Sequence, residues 1–223
     1  YDGSPFRLDY RTDRFYRSLY YTRIDIGMTK DELKKAMYDV LEANKEFMGP
    51  NQDFSYNYYV SRASLNIQDN GLTPASTVCI IPRVIPFASF APLYISGAPG
   101  VAPPTRRTPP QSVSPKAKIS NKMNHTVAEL EAKAAGGPNA YAIILDLEGN
   151  ITESSGPNFL FVSNGRLKVP DTRLVLSGAD MTAMLELASG LGIGTDEGTY
   201  TSYDLYNAQE AFLTTSSFGV MPI

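Results

Sequence analysis

The clearest pattern of hydrophobic and polar positions lies near the start of the chain. Five apolar residues recur at the i, i+3, i+4, i+7 and i+8 spacing of one helix face: Leu33, Ala36, Met37, Val40 and Leu41. Thr29 and Glu32 precede them in the T-x-x-E spacing of a capping box, and Met28 is placed to contact Leu33 as a hydrophobic staple. These signals predict an amphipathic helix that begins just after Thr29.

An earlier helix and two strands are predicted around this one. Phe6-Arg7-Leu8 is predicted as a short strand that leads to Asp9, which can cap a helix over residues 10–23. Residues 54–63 alternate loosely in hydropathy and are rich in Tyr, and residues 76–84 form an apolar run, so both are predicted as strands. Residues 85–117 are dominated by Pro, Gly, Ser and Ala, which is typical of an interdomain connection or an active-site loop.

The second half mixes helices and strands without regular alternation. Helices are predicted over residues 120–135, from Ser177, and over residues 203–208. The first of these has one apolar face, which we expect to be buried: Met123, Val127, Leu130 and Ala134. The helix from Ser177 has another: Met181, Met184, Leu185 and Ala188. Strands are predicted over five segments: 141–147, 151–154, 158–163, 166–169 and 211–215.

This arrangement predicts an α+β fold in two lobes. We expect a small N-terminal lobe over residues 1–105, an interdomain loop over 106–117 and a larger lobe over 118–223. The chain starts at Tyr1 without a methionine and stops at Ile223 just after a strand, so both ends are expected to be truncated.

Composition excludes several kinds of chemistry. With 20 basic and 23 acidic residues there is no electrostatic reason to expect nucleic acid or anionic membrane as a partner, and no apolar run approaches the length of a membrane helix. Cys79 and His125 are the only residues of their types, so an internal disulfide and a Cys- or His-rich metal site are excluded. Cys79 is predicted to be an inert core residue, and His125 a packing or surface residue. Acid–base chemistry must therefore come from Lys, Glu, Asp, Tyr or a cofactor.

Lys118 and Glu153 form the most informative pair of polar residues. Lys118 precedes the predicted helix over 120–135, and Glu153 follows 35 residues later in the strand that contains Thr152 and Ser154. Taken alone, they are a solvated lysine and an exposed strand glutamate. Together they suit pyridoxal phosphate, because an amine can bind its aldehyde while a carboxylate keeps its pyridine nitrogen protonated.

Two later segments offer groups that bind anions. The stretch 177–180 opens a helix, where backbone N–H groups and the helix dipole favour a phosphate, although an ordinary capped helix start has the same pattern. The stretch 214–217 ends a strand with four hydroxyl side chains.

The order of these features resembles the class IV, or fold-type IV, pyridoxal-phosphate aminotransferases, a family that includes branched-chain and D-amino-acid aminotransferases. The resemblance runs along nearly the whole chain. It is carried by the stretch around the family's Schiff-base lysine, the helix after it, and the strand and turn that hold the family's glutamate: residues 106–110, 115–118, 121–124, 128–136, 144–149 and 152–158.

The resemblance implies a role for each matching residue. Lys118 would be the Schiff-base and proton-transfer lysine, with Lys116 as its internal competitor, and Glu153 would bind the pyridine nitrogen. The remaining cofactor-binding residues would hold the phosphate: Arg14, Gly178, Ala179, Asp180, Thr215 and Ser216. Arg62 and Arg107 are candidates for the substrate carboxylate, with surface or interface salt bridges as the alternative.

Two positions depart from the family pattern. Arg11 stands where a histidine is usual, and Ala179-Asp180-Met181 stands where Ile-Thr-Arg is common. An aspartate beside a phosphate weakens the site unless its side chain turns away to cap the helix.

The function implied is transamination between a branched-chain L-amino acid and a 2-oxo acid such as 2-oxoglutarate. D-amino-acid or (R)-amine transamination is the near alternative. Two further alternatives remain. One is an aminodeoxychorismate-type lyase, which keeps the same lysine and glutamate but eliminates pyruvate, and the other is a non-catalytic relative. The resemblance also implies a homodimer, and a cytoplasmic location is expected.

Overall fold

The computed structural model describes residues 4–49, 52–61, 77–85 and 87–223. The chain divides into two compact units, Tyr1–Ala88 and Ser89–Ile223. The boundary lies earlier in the chain than residue 105, where the small lobe was predicted to end, and residues 106–117 belong to the second unit.

Within its described residues, the first unit shows two α-helices and a pair of antiparallel strands. Its elements, which include a short 3-10 helix, are α1 Leu8–Thr22, α2 Lys30–Asn44, the 3-10 helix Lys45–Phe47, β1 Asp53–Val60 and β2 Val78–Ile85. β1 and β2 pair antiparallel with Tyr56 opposite Pro82. Their apolar side chains pack on a core made by Leu8, Leu33 and Met37.

Helix α2 confirms the strongest prediction made from the sequence. The Thr29 hydroxyl accepts a hydrogen bond from the Glu32 backbone N–H at 3.3 Å, and the Glu32 carboxylate accepts one from the Thr29 N–H at 2.7 Å. Leu33, Met37 and Leu41 are the buried residues of this helix. The capping box starts the helix, and the apolar stripe attaches it to the core.

The strand predicted at Phe6-Arg7-Leu8 is wrong. Leu8 is the first residue of α1, and Arg7 adopts the left-handed conformation at φ 52° as the residue before the helix. The Arg7 carbonyl accepts from the Arg11 N–H at 3.0 Å, while Arg11 Nε donates to the Phe6 carbonyl at 2.9 Å. These bonds close residues 6 and 7 into a turn, and Asp9 lies inside the first helical turn.

Cys79 is exposed, so its predicted place in the core is wrong. Among the described residues, β2 pairs with β1 alone, and the helices of this unit cover one face of the pair. Val78 and Ile80 point to the covered face and pack on the core, so Cys79, between them, points to the other face.

The second unit is built on a five-stranded sheet in the order β7-β6-β5-β8-β9. These strands are β5 Asn158–Ser163, β6 Arg166–Pro170, β7 Thr195–Gly198, β8 Glu210–Thr215 and β9 Gly219–Pro222. Two further strands, β3 Gly100–Val101 and β4 Tyr141–Ala142, pair in parallel. The helices are α3 Phe87–Ser96, whose first two residues precede the unit boundary, α4 Met123–Gly136, α5 Ala179–Gly190 and α6 Ser202–Tyr206.

Both faces of the five-stranded sheet are covered. Phe159 and Phe161 of β5 point into one core cluster, and Leu160 between them points into another, which includes Met181 and Ala188 of α5. The buried face predicted for α5 is therefore confirmed. Packing α5 on this sheet also places its first residues near the ends of β5 and β8.

The face predicted for α4 is wrong. Met123 and Leu130 are 72% and 63% exposed, whereas Ala128 and Ala132 are fully buried. The alanines pack with Ala142 and Ile144 in a cluster of their own. Small side chains let the helix lie close to β4, and the larger apolar residues are left on the outer side.

Three other predictions in this unit need correction. Residues 85–117 were predicted as an interdomain connection or an active-site loop, but they contain helix α3 and strand β3. The strands predicted over 141–147 and 151–154 reduce to β4 and an isolated bridge between Leu145 and Ile151. Strand β7, with the sequence TDEG, has no hydrophobic pattern and was missed. Across the described ranges, no helix combines the length and apolar character needed to span a membrane.

Candidate active site

Glu153 is a buried carboxylate held by groups from several parts of the second unit. Its Oε1 lies 3.0 Å from the Arg107 guanidinium and 3.7 Å from His125 Nε2. Its Oε2 accepts hydrogen bonds from the Leu176 backbone N–H at 3.0 Å and from the Asn158 side-chain amide at 3.3 Å. The carboxylate is therefore fixed in direction as well as in place.

The backbone around Glu153 explains how it comes to be buried. The Glu153 carbonyl accepts from the Ile144 N–H, and the Ile144 carbonyl accepts from the Thr152 N–H, both at 3.0 Å. The Asp146 carboxylate then closes the intervening turn by accepting from the backbone N–H groups of Glu148 and Asn150. This local loop directs the Glu153 side chain inward instead of along an exposed strand.

Arg107 reaches Glu153 from the segment that precedes the predicted lysine. Its backbone N–H donates to the Leu145 carbonyl at 2.8 Å, which attaches the segment to the apolar core. Its guanidinium pairs with Glu153, and its buried Nε has no hydrogen-bond partner among the described residues. The role predicted for Arg107 at a substrate carboxylate stays a prediction.

Lys118 and Glu153 line one pocket, together with Arg107, Lys122 and His125. All of the residues that line this pocket belong to the second unit. The structure thus brings together the two residues that the sequence singled out, 35 positions apart. Their roles in chemistry stay predictions.

Lys122 is a second lysine of this pocket, to which the sequence assigned no role. Its amine donates to the Ser155 carbonyl at 3.4 Å. Burial lowers the pKa of the Lys122 ammonium below its usual range, while the Glu153 carboxylate works in the opposite direction and Arg107 adds to the lowering. The segment 121–124 was recognised as a motif, but nothing in its pattern indicates that Lys122 points inward.

His125 was predicted as a packing or surface residue, and it is buried against Glu153. Its Nδ1 lies 3.0 Å from the Asn124 side-chain oxygen. It shares the buried face of α4 with Ala128 and Ala132. Ala128 and Ala132 follow His125 at the spacing of one helix face, and this spacing was the sequence signal that could have predicted its burial.

Asn158 connects Glu153 to the turn before α5. In addition to Glu153, its amide donates to the Leu176 carbonyl at 2.8 Å. A Cβ atom placed on Gly178 would lie only 2.1 Å from the Asn158 side-chain oxygen. Glycine at position 178 therefore allows the turn to approach Asn158.

The predicted anion-binding segments 177–180 and 214–217 are in contact. The Ser216 hydroxyl donates to the Asp180 carboxylate at 2.9 Å. Thr214 is buried opposite Asn158 in the strand register, and its hydroxyl has no hydrogen-bond partner within the described ranges. Thr215, the next predicted residue, pairs with Gly219 of β9.

Arg14 and Arg62 are the two predicted residues that precede the second unit in the chain. Arg14 belongs to the first unit, where it is a buried residue of α1 with its guanidinium 5.9 Å from the centre of the Tyr10 ring. Its role at a phosphate stays a prediction. Arg62 falls outside the described residues.

The polar groups of the pocket fit the ring end of pyridoxal phosphate. Lys118 offers an amine and Glu153 an oriented acceptor in one pocket. The buried Ser154 hydroxyl lines it too and has no hydrogen-bond partner among the described residues. The phosphate end fits less well, because Asp180 puts a carboxylate at the predicted phosphate turn and takes up the Ser216 hydroxyl.

Comparisons with known proteins agree with this geometry. A family model described as amino-transferase class IV matches residues 1–223. A putative branched-chain-amino-acid aminotransferase from Methanocaldococcus jannaschii is 30% identical over 100% of this chain and 74% of its own length. A D-alanine aminotransferase from Bacillus licheniformis is 25% identical over 100% of this chain and 75% of its own.

A solved structure is similar over the same extent. The branched-chain aminotransferase from Thermoproteus uzoniensis with norvaline superposes with a TM-score of 0.80 at 28% identity, covering 98% of this chain and 71% of that one. The predicted α+β, fold-type IV class is confirmed.

Proposed function

The chain belongs to the class IV aminotransferases, and on that premise we propose that it transfers the amino group of a branched-chain L-amino acid to a 2-oxo acid such as 2-oxoglutarate. The observation that supports this most is the pocket shared by Lys118 and the fixed carboxylate of Glu153. An amine and an oriented acceptor in one pocket are what the amino transfer needs from the protein.

The proposed cofactor is pyridoxal 5′-phosphate. When bound, it supplies an aldehyde that can hold an amino group and a ring that withdraws electrons from the substrate α-carbon. Lys118 would hold the cofactor through its aldehyde, and its amine, once the substrate amine has displaced it, would carry a proton to and from the substrate α-carbon.

Glu153 would hold the proton on the pyridine nitrogen. A carboxylate offers roughly four acceptor positions. Arg107, Leu176 and Asn158 take three of those on Glu153, so an acceptor position remains for the pyridinium N–H. These three partners orient the carboxylate before any ligand arrives, which favours catalysis because no reorganisation is then needed.

A panel of amino donors tests the proposed substrate class. With 2-oxoglutarate as acceptor, we expect L-leucine, L-isoleucine and L-valine to give higher kcat/KM for glutamate formation than D-alanine or an (R)-amine. Preference for D-alanine would replace the branched-chain assignment with D-amino-acid transamination, the second candidate, which the D-alanine aminotransferase relative favours. Pyruvate release from aminodeoxychorismate without an amino acceptor would indicate the lyase instead.

The proposal includes a homodimer, as the resemblance implies, and a cytoplasmic location. Light scattering coupled to size-exclusion chromatography measures the mass in solution directly. The proposal predicts twice the 24.4 kDa mass of the chain, and a monomer at micromolar concentration would contradict the dimer.

A further inference from the structure

The start of helix α5 carries a negative charge at the place where the proposed cofactor needs a positive environment. We propose that Asp180 acts as a built-in anion at this turn, so that the chain holds its cofactor mainly by the ring end and gains little affinity from the phosphate. This inference rests on the proposed function, and it concerns how the same site binds and releases its cofactor.

The helix itself would attract a phosphate. Backbone N–H groups in the first turn of a helix have no partners within the helix and carry a partial positive charge. Asp180 is the second residue of α5, within that first turn. The negative charge of its carboxylate therefore offsets the partial positive charge that would otherwise attract the phosphate.

Ser216 is engaged by the same carboxylate. Its hydroxyl donates to Asp180 Oδ2 at 2.9 Å, and a serine hydroxyl has a single proton to donate. While this bond persists, Ser216 cannot donate to a phosphate oxygen. The contact thus removes one predicted phosphate ligand as well as adding a negative charge.

Thr214 provides a second, independent observation beside this turn, a buried hydroxyl without a partner among the described residues. It is 2% exposed, and its hydroxyl has no hydrogen-bond partner in the described part of the chain. Because Thr214 and Asn158 are directly opposed in the β5–β8 register, their side chains lie on the same face of the sheet. Asn158 touches the Leu176–Gly178 turn on that face, so an unused buried donor lies beside the turn that Asp180 makes negative.

Ligand binding to the cofactor-free full chain separates the phosphate from the ring. Pyridoxal 5′-phosphate and pyridoxal differ by the phosphate alone, so the ratio of their dissociation constants measures what the phosphate contributes. We expect this ratio to be about tenfold or less in the wild-type chain, because like charges placed side by side oppose binding. Absorbance or fluorescence titration in a phosphate-free buffer gives both constants.

Asp180→Asn removes the charge and keeps the shape. It should tighten binding of pyridoxal 5′-phosphate by roughly tenfold or more and leave pyridoxal within about twofold. Asp180→Thr, a second variant, should do the same. Inorganic phosphate should raise the melting temperature of both variants more than that of the wild type, a readout independent of activity.

Glu186→Gln is the matched control, because it removes the same charge from the exposed side of the same helix, about 9 Å further along its axis. An equal effect from Glu186→Gln would overturn the inference, as would a wild-type ratio of several hundredfold that Asp180→Asn does not change. In both cases the proposed function would stand. Failure of every folded variant to bind either ligand would instead overturn the proposed function, and the inference with it.

Discussion

At the residue scale, Glu153 is the most constrained side chain of the candidate site. Its side chain is 8% exposed and that of Arg107 is 11% exposed, so both charges are largely removed from water. A buried ion pair is tolerated when further hydrogen bonds satisfy it, which Leu176 and Asn158 provide. The pair therefore couples the stability of the second unit to the geometry of its pocket.

Glu153→Gln tests this coupling. The change leaves the Arg107 guanidinium buried without a counter-charge, so we expect a loss of about 3 kcal/mol in the free energy of unfolding. Asp196→Asn is the matched control, because Asp196 pairs with Arg166 and Lys168 in a more exposed cluster, where the loss should be much smaller. Urea denaturation measures both, and equal losses would contradict a special role for the buried pair.

Lys122 makes a prediction about pH. Burial lowers the pKa of Lys122 in the folded chain, whereas the unfolded chain keeps the usual value. At a pH between these two values, Lys122 is therefore protonated more often in the unfolded chain than in the folded one. The contribution of Lys122 to the free energy of unfolding must then rise as the pH increases from its pKa in the folded chain to its pKa in the unfolded chain, which is near 10.5. Lys122→Met should be more stable than the wild type at pH 7, and the advantage should shrink towards pH 9.5. A difference in unfolding free energy that does not vary with pH would contradict the lowered pKa.

Gly178→Ala tests the close approach of the turn to Asn158. The new methyl group would meet the Asn158 oxygen at 2.1 Å and displace the amide from Glu153 and Leu176. We expect a loss of about 1 to 3 kcal/mol, the usual range for an overpacked site. Gly190→Ala, at the other end of α5 with open space around it, should not destabilise the chain. Thermal or urea unfolding measures the stability of both variants. Equal stabilities for Gly178→Ala and Gly190→Ala would rule out the close contact with Asn158.

At the element scale, the sequence predicted those elements whose signals are local. The capping box at Thr29 and the apolar stripe after it were sufficient for α2, and alternation with a short turn was sufficient for the β5–β6 hairpin. The motif around Glu153 likewise identified the carboxylate of the site. In each case neighbouring residues carried the whole signal.

Elements whose orientation depends on distant partners were not predicted. The buried face of α4 is set by its contact with β4, which favours small alanines over the larger residues on the outer side. The inward positions of Lys122 and His125 follow from that face. Strand β7 forms because it pairs in parallel with β6, although its own residues are polar.

The corrected face of α4 can be tested directly. Ala132→Leu adds three carbon atoms to a fully buried position against Ala142 and Ile144, and should cost about 1 to 3 kcal/mol. Leu130→Ala removes the same atoms from an exposed position and should change stability by about 0.5 kcal/mol or less. If Leu130→Ala were the more damaging change in urea denaturation, the face first predicted would be restored.

At the scale of the whole molecule, the pocket is formed within the second unit and the family match extends over both. The described residues place Lys118, Lys122 and Glu153 in that pocket, and we propose that the cofactor binds Lys118. Lys116 and Lys122 are its rivals, being two residues before it and four after it. The identity of the reacting lysine is therefore the central claim.

The most direct test of Lys118 as the reacting lysine is chemical trapping. The full chain is reduced with borohydride in the presence of pyridoxal 5′-phosphate, and peptide mass spectrometry then locates the label. We predict a pyridoxyl group on Lys118, unchanged in Lys116→Ala, and loss of both this label and turnover in Lys118→Ala. A label on Lys116 or Lys122 in the wild-type chain, or turnover by Lys118→Ala, would contradict the account.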